Sequence, residues 1–187
     1  MNSRLKRLQL RLRTLGRPLL AAIMPQRCCF CGLTAIEAVC DGCREDLPWQ
    51  NASCPRCALA LPDSTPDGTA CATCQQKPPP YDAAVAPLSY AFPIDAAIQA
   101  MKFQRRLYYL PAMSGLLVAA AARLPPGIDA VLPVPLHRFR LMKRGFNQSL
   151  ELGLPVAKAL GLPVLHSVRR RVHTPYQSGS NRAERRR

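Results

Sequence analysis

The chain has 187 residues, 48% of them hydrophobic, and carries a formal charge of +15 at pH 7. This length suits one ordinary domain and one small one, and the hydrophobic share is enough for a core. No segment approaches about 18 uninterrupted apolar residues, so the sequence predicts no transmembrane segment. The charge would attract polyanions, which are nucleic acids, phosphorylated metabolites or an acidic membrane surface.

Residues 1–25 are predicted to form a basic amphipathic helix. Leucines recur at steps of three and four, with arginines and lysines between them, until Pro18 interrupts the pattern. Such a helix can contact membrane lipid or a DNA backbone. The alternative, which we favour, is that it docks its leucines on the body of the protein.

Residues 26–76 are rich in cysteine and predict zinc binding. Eight of the nine cysteines form four Cys-x-x-Cys turns, here called knuckles 1 to 4: Cys28/Cys31, Cys40/Cys43, Cys54/Cys57 and Cys71/Cys74. Two such turns complete a tetrahedral site, and four thiolates leave no open position, so the sites would be structural. Sequential pairing would give two small zinc ribbons. Interleaved pairing, or a single occupied site, stays open.

Two other uses of the cysteines fit less well. A disulfide framework is typical of small secreted domains, but this chain is longer, and no cleavage site follows the apolar run Pro18–Pro25. Redox dithiols usually occur as a single Cys-x-x-Cys rather than four in tandem. Cys29 is left over, either as a spare ligand or, as we favour, as a partly buried free thiol. Reduced cysteines without an export signal predict a cytoplasmic protein.

Residues 77–80, Lys-Pro-Pro-Pro, predict a stiff linker to a second domain at 81–187. In that domain, residues 94–104 have helical spacing, and another helix is expected from about Leu110 to Leu124. The remaining elements are a buried strand over 129–136, a basic loop, a helix over roughly 147–160 and a strand over 163–168. Strand, helix and strand in this order predict a βαβ unit with a parallel sheet, and therefore an α/β fold.

The basic loop, residues 137–148, follows the first strand of this unit. Ligands of such folds bind beyond the carboxyl ends of the strands. Gly145 allows close backbone approach, and the start of the next helix offers free N–H groups to an anion. The candidate ligands for a phosphate or pyrophosphate group are Arg140, Lys143, Arg144, Gly145, Asn147 and Gln148. The alternative is a solvated basic surface. We assign His137 no catalytic role.

The order of these motifs resembles the ComF/GntX family. The matching features are the four knuckles, the proline-rich linker and the runs 101–103, 131–137 and 144–148, followed by Thr174-Pro-Tyr-Gln177 and Arg185. The resemblance implies a double zinc ribbon with one or two zinc ions, followed by a type I phosphoribosyltransferase fold. It also implies a role in DNA uptake during natural competence, with other competence proteins as partners, and a reaction like that of amidophosphoribosyltransferases.

One motif of phosphoribosyltransferases does not occur in these 187 residues, namely Asp-Asp followed by Thr-Thr-Gly. We therefore expect an incomplete, catalytically inactive transferase domain, with phosphoribosyl pyrophosphate and Mg²⁺ bound only by a full-length homologue. The expected function is handling of single-stranded DNA. The ribbons and basic termini would grip its phosphates, and Trp49, Tyr81, Tyr108 and Tyr109 are candidates for base stacking. The alternative is a phosphoribosyltransferase that takes a phosphorylated sugar.

Overall fold

The computed structural model describes residues 26–172. The helix expected over 1–25 and the Thr174–Gln177 block lie outside this range. The chain divides into two compact units, and the division falls between Pro125 and Pro126. The linker and domain boundary expected at 77–80 thus lie inside the first unit and stay a prediction. Among the described residues, no helix has the length and apolar character needed to cross a bilayer.

The described part of the first unit begins with the four knuckles. Strands β1 (Gln26–Arg27) and β2 (Thr34–Ala35) form an antiparallel pair around knuckle 1. Knuckles 2 and 4 each begin a short helix, α1 (Asp41–Glu45) and α2 (Ala72–Gln76), with Cys40 and Cys71 as the N-cap residues. Each ribbon therefore consists of a turn-type knuckle followed by a helix-type knuckle.

Two longer helices complete the first unit. Helix α3 spans Ile94–Gln104, and α4 spans Leu110–Ala121, with a 3₁₀ turn at Leu107–Tyr109 between them. Both helices match the predicted spans, apart from the last residues of the second one. Their inner faces supply much of the core: Ile94, Ala97, Ala100, Met101, Ala112, Met113, Leu116, Ala120 and Ala121. Pro125 and Gly127 follow α4, as helix-terminating residues do.

The second unit contains the predicted helix of the βαβ pattern. Helix α6 spans Gln148–Leu160, with Asn147 as N-cap and Gly161 in the left-handed region at its end. Val131 and Val164 form a parallel bridge, in which the Val131 N–H donates to Pro163 and the Leu165 N–H donates to the Val131 carbonyl. Parallel pairing across a helix is the arrangement that the strand–helix–strand order predicts.

Two predictions for the second unit need correction. The expected strands over 129–136 and 163–168 contribute only this bridge, and the described residues form a single two-stranded sheet, β1–β2. The expected basic loop is partly a helix, α5, over Arg138–Arg144. His137 caps it, Gly145 ends it at a φ of 85°, and no glycine or proline interrupts the seven residues between. Those are the conditions that let a short helix form.

Candidate metal centres and anion-binding segment

The eight knuckle cysteines form two separate tetrads. Cys28, Cys31, Cys40 and Cys43 make the first, and Cys54, Cys57, Cys71 and Cys74 make the second, with all sulfurs of a tetrad within 4.8 Å of one another. Sequential pairing is therefore confirmed, and the interleaved alternative is ruled out. Cys29 belongs to neither tetrad and is half-buried, as a free thiol would be.

The sulfur positions fit zinc. The Sγ atoms of Cys31 and Cys40 are 3.7 Å apart, and those of Cys57 and Cys71 are 3.8 Å apart. A tetrahedron with zinc–sulfur bonds of about 2.3 Å has sulfurs about 3.8 Å apart. Zinc bound by four thiolates would cross-link two knuckles of each ribbon and leave no coordination position for a substrate.

The two ribbons repeat the same backbone hydrogen bonds. The N–H of Cys28 donates to Leu33, and the N–H of Cys54 donates to the equivalent Leu59. The N–H of Cys40 donates to the Cys28 sulfur at 3.4 Å, and the N–H of Cys71 donates to the Cys54 sulfur at 3.3 Å. Hydrogen bonds to sulfur stabilise the thiolate form that binds metal. The ribbons are therefore two copies of one design.

The first cysteine of each ribbon has a lowered pKa, which favours the thiolate form. Burial raises the pKa of Cys28 and of Cys54, but backbone N–H groups outweigh it and lower both values to about 6. For Cys28 the donors come from Cys31, Cys40 and Phe30. At Cys29, outside the tetrad, burial raises the pKa to about 11.

The predicted anion-binding residues follow one another along α5 and the start of α6. Lys143 is exposed, whereas Arg144 is half-buried and donates from Nη1 to Gln148 Oε1 at 3.2 Å. Asn147 accepts the Ser149 N–H at 3.1 Å and donates to the Val134 carbonyl at 3.1 Å. Gln148 is buried. Asn147 and Gln148 thus hold the turn together, and the exposed cation of this group is Lys143.

Comparison with known proteins supports the zinc ribbons and gives relatives for a larger part of the chain. Residues 19–75 match the double zinc ribbon domain. The DNA utilization protein YhgH of Escherichia coli K12 is 35% identical over 127 residues, which are 65% of this chain and 55% of that protein. Competence protein F of Haemophilus influenzae is 29% identical over 161 residues, 81% of this chain and 67% of that protein.

The chain is a ComF-like protein with an N-terminal double zinc ribbon. It spans about half the length (55%) of the YhgH relatives that it matches. No solved structure matches it.

Two features of the ComF-like chain were missed by sequence reasoning. His137 is buried, and its Nδ1 accepts the Phe139 N–H at 3.4 Å, so it is the N-cap of α5. Arg138, at the start of this helix, is exposed and lies 4.9 Å from the centre of the Phe139 ring. Uncommon N-cap residues such as histidine are poor sequence signals. The available sequence sign of a helix was the run of seven residues without glycine or proline before Gly145.

Proposed function

We propose that this ComF-like chain binds single-stranded DNA and serves DNA uptake in natural competence, within the cytoplasm. The observation that carries the proposal is the similarity to proteins named for DNA utilization and competence, at 35% and 29% identity. The net charge of +15 supports it, because cationic side chains bind the phosphate backbone and release its counterions.

The distribution of charge along the chain indicates which unit binds the phosphate backbone of DNA. Residues 26–125, the described part of the first unit, contain eight lysines and arginines and eight carboxylates, so this part is formally neutral. Zinc loading makes it more negative, because four thiolates outnumber the two charges of each ion. Residues 126–172 contain eight basic and two acidic residues. We therefore assign most of the phosphate binding to the second unit rather than to the ribbons, in contrast to the expectation from sequence.

Within the described part of the second unit, exposed cations lie on α5, on α6 (Lys158) and after the Val164 bridge. Arg138 and Lys143 are exposed on α5, and Arg169 and Arg171 are exposed after the Val164 bridge. Exposed cations exchange solvent ions for phosphates at little cost in desolvation. Arg144 is hydrogen-bonded to Gln148, so it stabilises the turn between α5 and α6 and is less available to bind a DNA strand.

The proposal predicts that DNA affinity falls with salt concentration, and that cations of the second unit determine how steeply it falls. Binding of a fluorescent oligothymidylate is measured by anisotropy over a range of salt concentrations. The quantity compared is the slope of log affinity against log salt concentration. For single-stranded DNA, each phosphate contact adds about 0.7 to the magnitude of this slope. We expect the double variant Arg138→Ala/Lys143→Ala to reduce the slope by about 1.4. The charge-matched control Lys77→Ala/Arg123→Ala, in the first unit, should leave the slope unchanged.

Two results would contradict this assignment. An equal loss of slope in both double variants would mean that the charge acts as a diffuse field. Absence of binding by the wild-type chain at low salt would remove the proposed function itself. Zinc content and circular dichroism of each variant would exclude misfolding as the cause.

A second candidate function is binding of a phosphorylated sugar such as phosphoribosyl pyrophosphate. The supporting observation is the parallel bridge Val131–Val164 across α5 and α6, with a turn at 145–147 after the first of the paired segments. We predict that phosphoribosyl pyrophosphate with Mg²⁺ raises the melting temperature more than ribose 5-phosphate does. No pyrophosphate release is expected, because the Asp-Asp…Thr-Thr-Gly motif does not occur in these residues. Equal stabilisation by both ligands, or by neither, would reject this candidate.

A further inference from the structure

An aromatic cleft lies within the first unit, beside the first zinc ribbon. Its volume is about 740 Å³, and its lining includes Arg27, Phe30, Tyr108, Tyr109 and Pro111 together with Cys28 and Cys31 of knuckle 1. The cleft is therefore formed jointly by the first ribbon and by the residues that lead into α4. Neither the tetrads nor the basic segment of the second unit contributes its aromatic surface.

Three rings follow one another in this cleft. The ring centres of Phe30 and Tyr109 are 5.9 Å apart, and those of Tyr109 and Tyr108 are 4.3 Å apart. Phe30 and Tyr109 are partly buried, whereas Tyr108 is 52% exposed. Tyr108 thus presents open ring surface, and the Tyr109 ring, which itself contacts Phe30, packs against it.

The polar groups at the cleft suit an anion next to an aromatic ligand. Arg27 is exposed and donates from Nη1 to the Gly32 carbonyl at 3.0 Å, which fixes its position. Arg106 is within hydrogen-bonding reach of the Tyr108 side chain. Among the described residues, no aspartate or glutamate lines the cleft. Arg27 and Arg106 therefore bring positive charge to the cleft, next to the zinc–thiolate site that Cys28 and Cys31 would form.

The other aromatic candidates from the sequence are arranged differently. Trp49 donates its indole N–H to the Arg44 carbonyl at 2.8 Å, and its backbone pairs with Leu88. Tyr81 is 47% exposed but does not line this cleft. Of the four residues, only Tyr108 and Tyr109 line this cleft.

We propose that this cleft binds an unpaired base of single-stranded DNA, which stacks on Tyr108 while Arg27 and Arg106 supply positive charge for the flanking phosphate. Every base has a π-face, so such stacking is tolerant of sequence and suits a protein that takes DNA of any origin. The inference rests on the proposed DNA-binding function. It adds a second contact region, in which the base rather than the backbone is recognised.

The test separates base stacking from phosphate binding. Affinity is measured for an oligothymidylate and for an abasic strand of equal length and charge. Loss of one stacked base costs about 1–3 kcal/mol. We therefore expect Tyr108→Leu to weaken oligothymidylate binding about tenfold and to leave abasic binding and the salt slope unchanged. Tyr108→Phe keeps the ring and should bind like the wild type, as should Tyr90→Leu, which removes a 65% exposed ring outside the cleft lining.

Each outcome decides between the two proposals. Equal binding by Tyr108→Leu and wild type overturns the cleft inference and leaves the proposed function standing. No binding by the wild type overturns both. If Tyr108→Leu loses zinc or fails to fold, photocrosslinking of the wild type to 5-iododeoxyuridine oligonucleotides decides instead. Adducts at Tyr108 or Tyr109 support the cleft, and adducts confined to residues 126–172 overturn it.

Discussion

Ala58 has a φ of 57°, a left-handed conformation that side chains other than glycine seldom adopt. The equivalent residue of the first ribbon is Gly32, with a φ of 74°. Both N–H groups close the same turn, donating to the first cysteine of their knuckle at 2.9 Å (Gly32) and 2.8 Å (Ala58). The two ribbons therefore require a left-handed backbone conformation at equivalent positions. Gly32 adopts it without strain, whereas Ala58 is strained.

This difference predicts opposite effects of exchanging the two residue types. We expect Gly32→Ala to lower the free energy of unfolding by about 1 kcal/mol, because a Cβ there meets no atom within 4 Å and the cost is conformational only. Ala58→Gly should raise it by about 0.5 kcal/mol, since relief of strain is partly offset by the larger entropy of unfolded glycine. Urea unfolding of the zinc-loaded protein measures both changes.

Ala60 is the matched control for the second substitution. It lies two residues further along and is exposed, and its φ is not positive. Ala60→Gly should therefore destabilise the protein, because it adds unfolded-state entropy without relieving strain. If Ala58→Gly lowered stability as much as Ala60→Gly does, the strain assigned to Ala58 would be refuted.

At the scale of elements, helices with clear ends could be predicted from sequence and the short helix could not. The span 94–104 of α3 was confirmed at both ends, and α6 (Gln148–Leu160) matches the expected span of roughly 147–160, with Asn147 and Gly161 as its caps. Helix α5 has seven residues, and several are cationic, so its sequence is equally compatible with a solvated loop. Its formation depends on the local caps His137 and Gly145.

The tetrads were predictable because ligand spacing restricts a tetrahedral site, whereas the aromatic cleft was not. Knuckle spacing alone named all eight ligands, and the structure confirmed their grouping. Tyr108 and Tyr109 were candidates for stacking, but nothing in the sequence places Phe30 next to them across about 80 residues. Such a contact depends on long-range packing, which the sequence pattern does not encode locally.

The two ribbons differ in how well they shield the metal position. In the first, Cys31 is exposed and Cys40 and Cys43 are half-buried, whereas Cys54, Cys71 and Cys74 of the second are all buried. We predict two phases when a chelator competes for zinc, with the first ribbon releasing its ion faster. Cys31→Ala should leave one zinc and only the slow phase, and Cys57→Ala should leave one zinc and only the fast phase. A chromogenic zinc indicator follows the release.

Cys29→Ala is the control for these cysteine variants. Because Cys29 belongs to neither tetrad, this variant should keep two zinc ions per chain and both phases. A single phase in the wild-type chain, or slow release from Cys57→Ala, would show that exposure of the sulfurs does not govern release.

At the scale of the molecule, the ribbons and the helices of the first unit are stabilised by different means. The buried cluster of the second ribbon consists of Cys54, Cys71 and Cys74, with Cys57, Leu61 and Ala70 packed against it. Its interior is therefore mostly sulfur, and small zinc modules of this kind depend on the ion for folding. Helices α3 and α4, in contrast, bury aliphatic side chains such as Ile94, Met101 and Leu116.

Removal of zinc should therefore loosen one part of the first unit more than the other. We predict that a chelator raises amide hydrogen exchange strongly over residues 54–76, because the tetrad sulfurs are no longer held together. Exchange in α4, over Leu110–Ala121, should rise less, because its apolar contacts do not involve the metal. Mass spectrometry of peptides from the chelated and zinc-loaded protein measures both regions in one sample. An equal rise along the whole unit would mean that ribbons and helices unfold together, and that zinc stabilises the core of the helices as well.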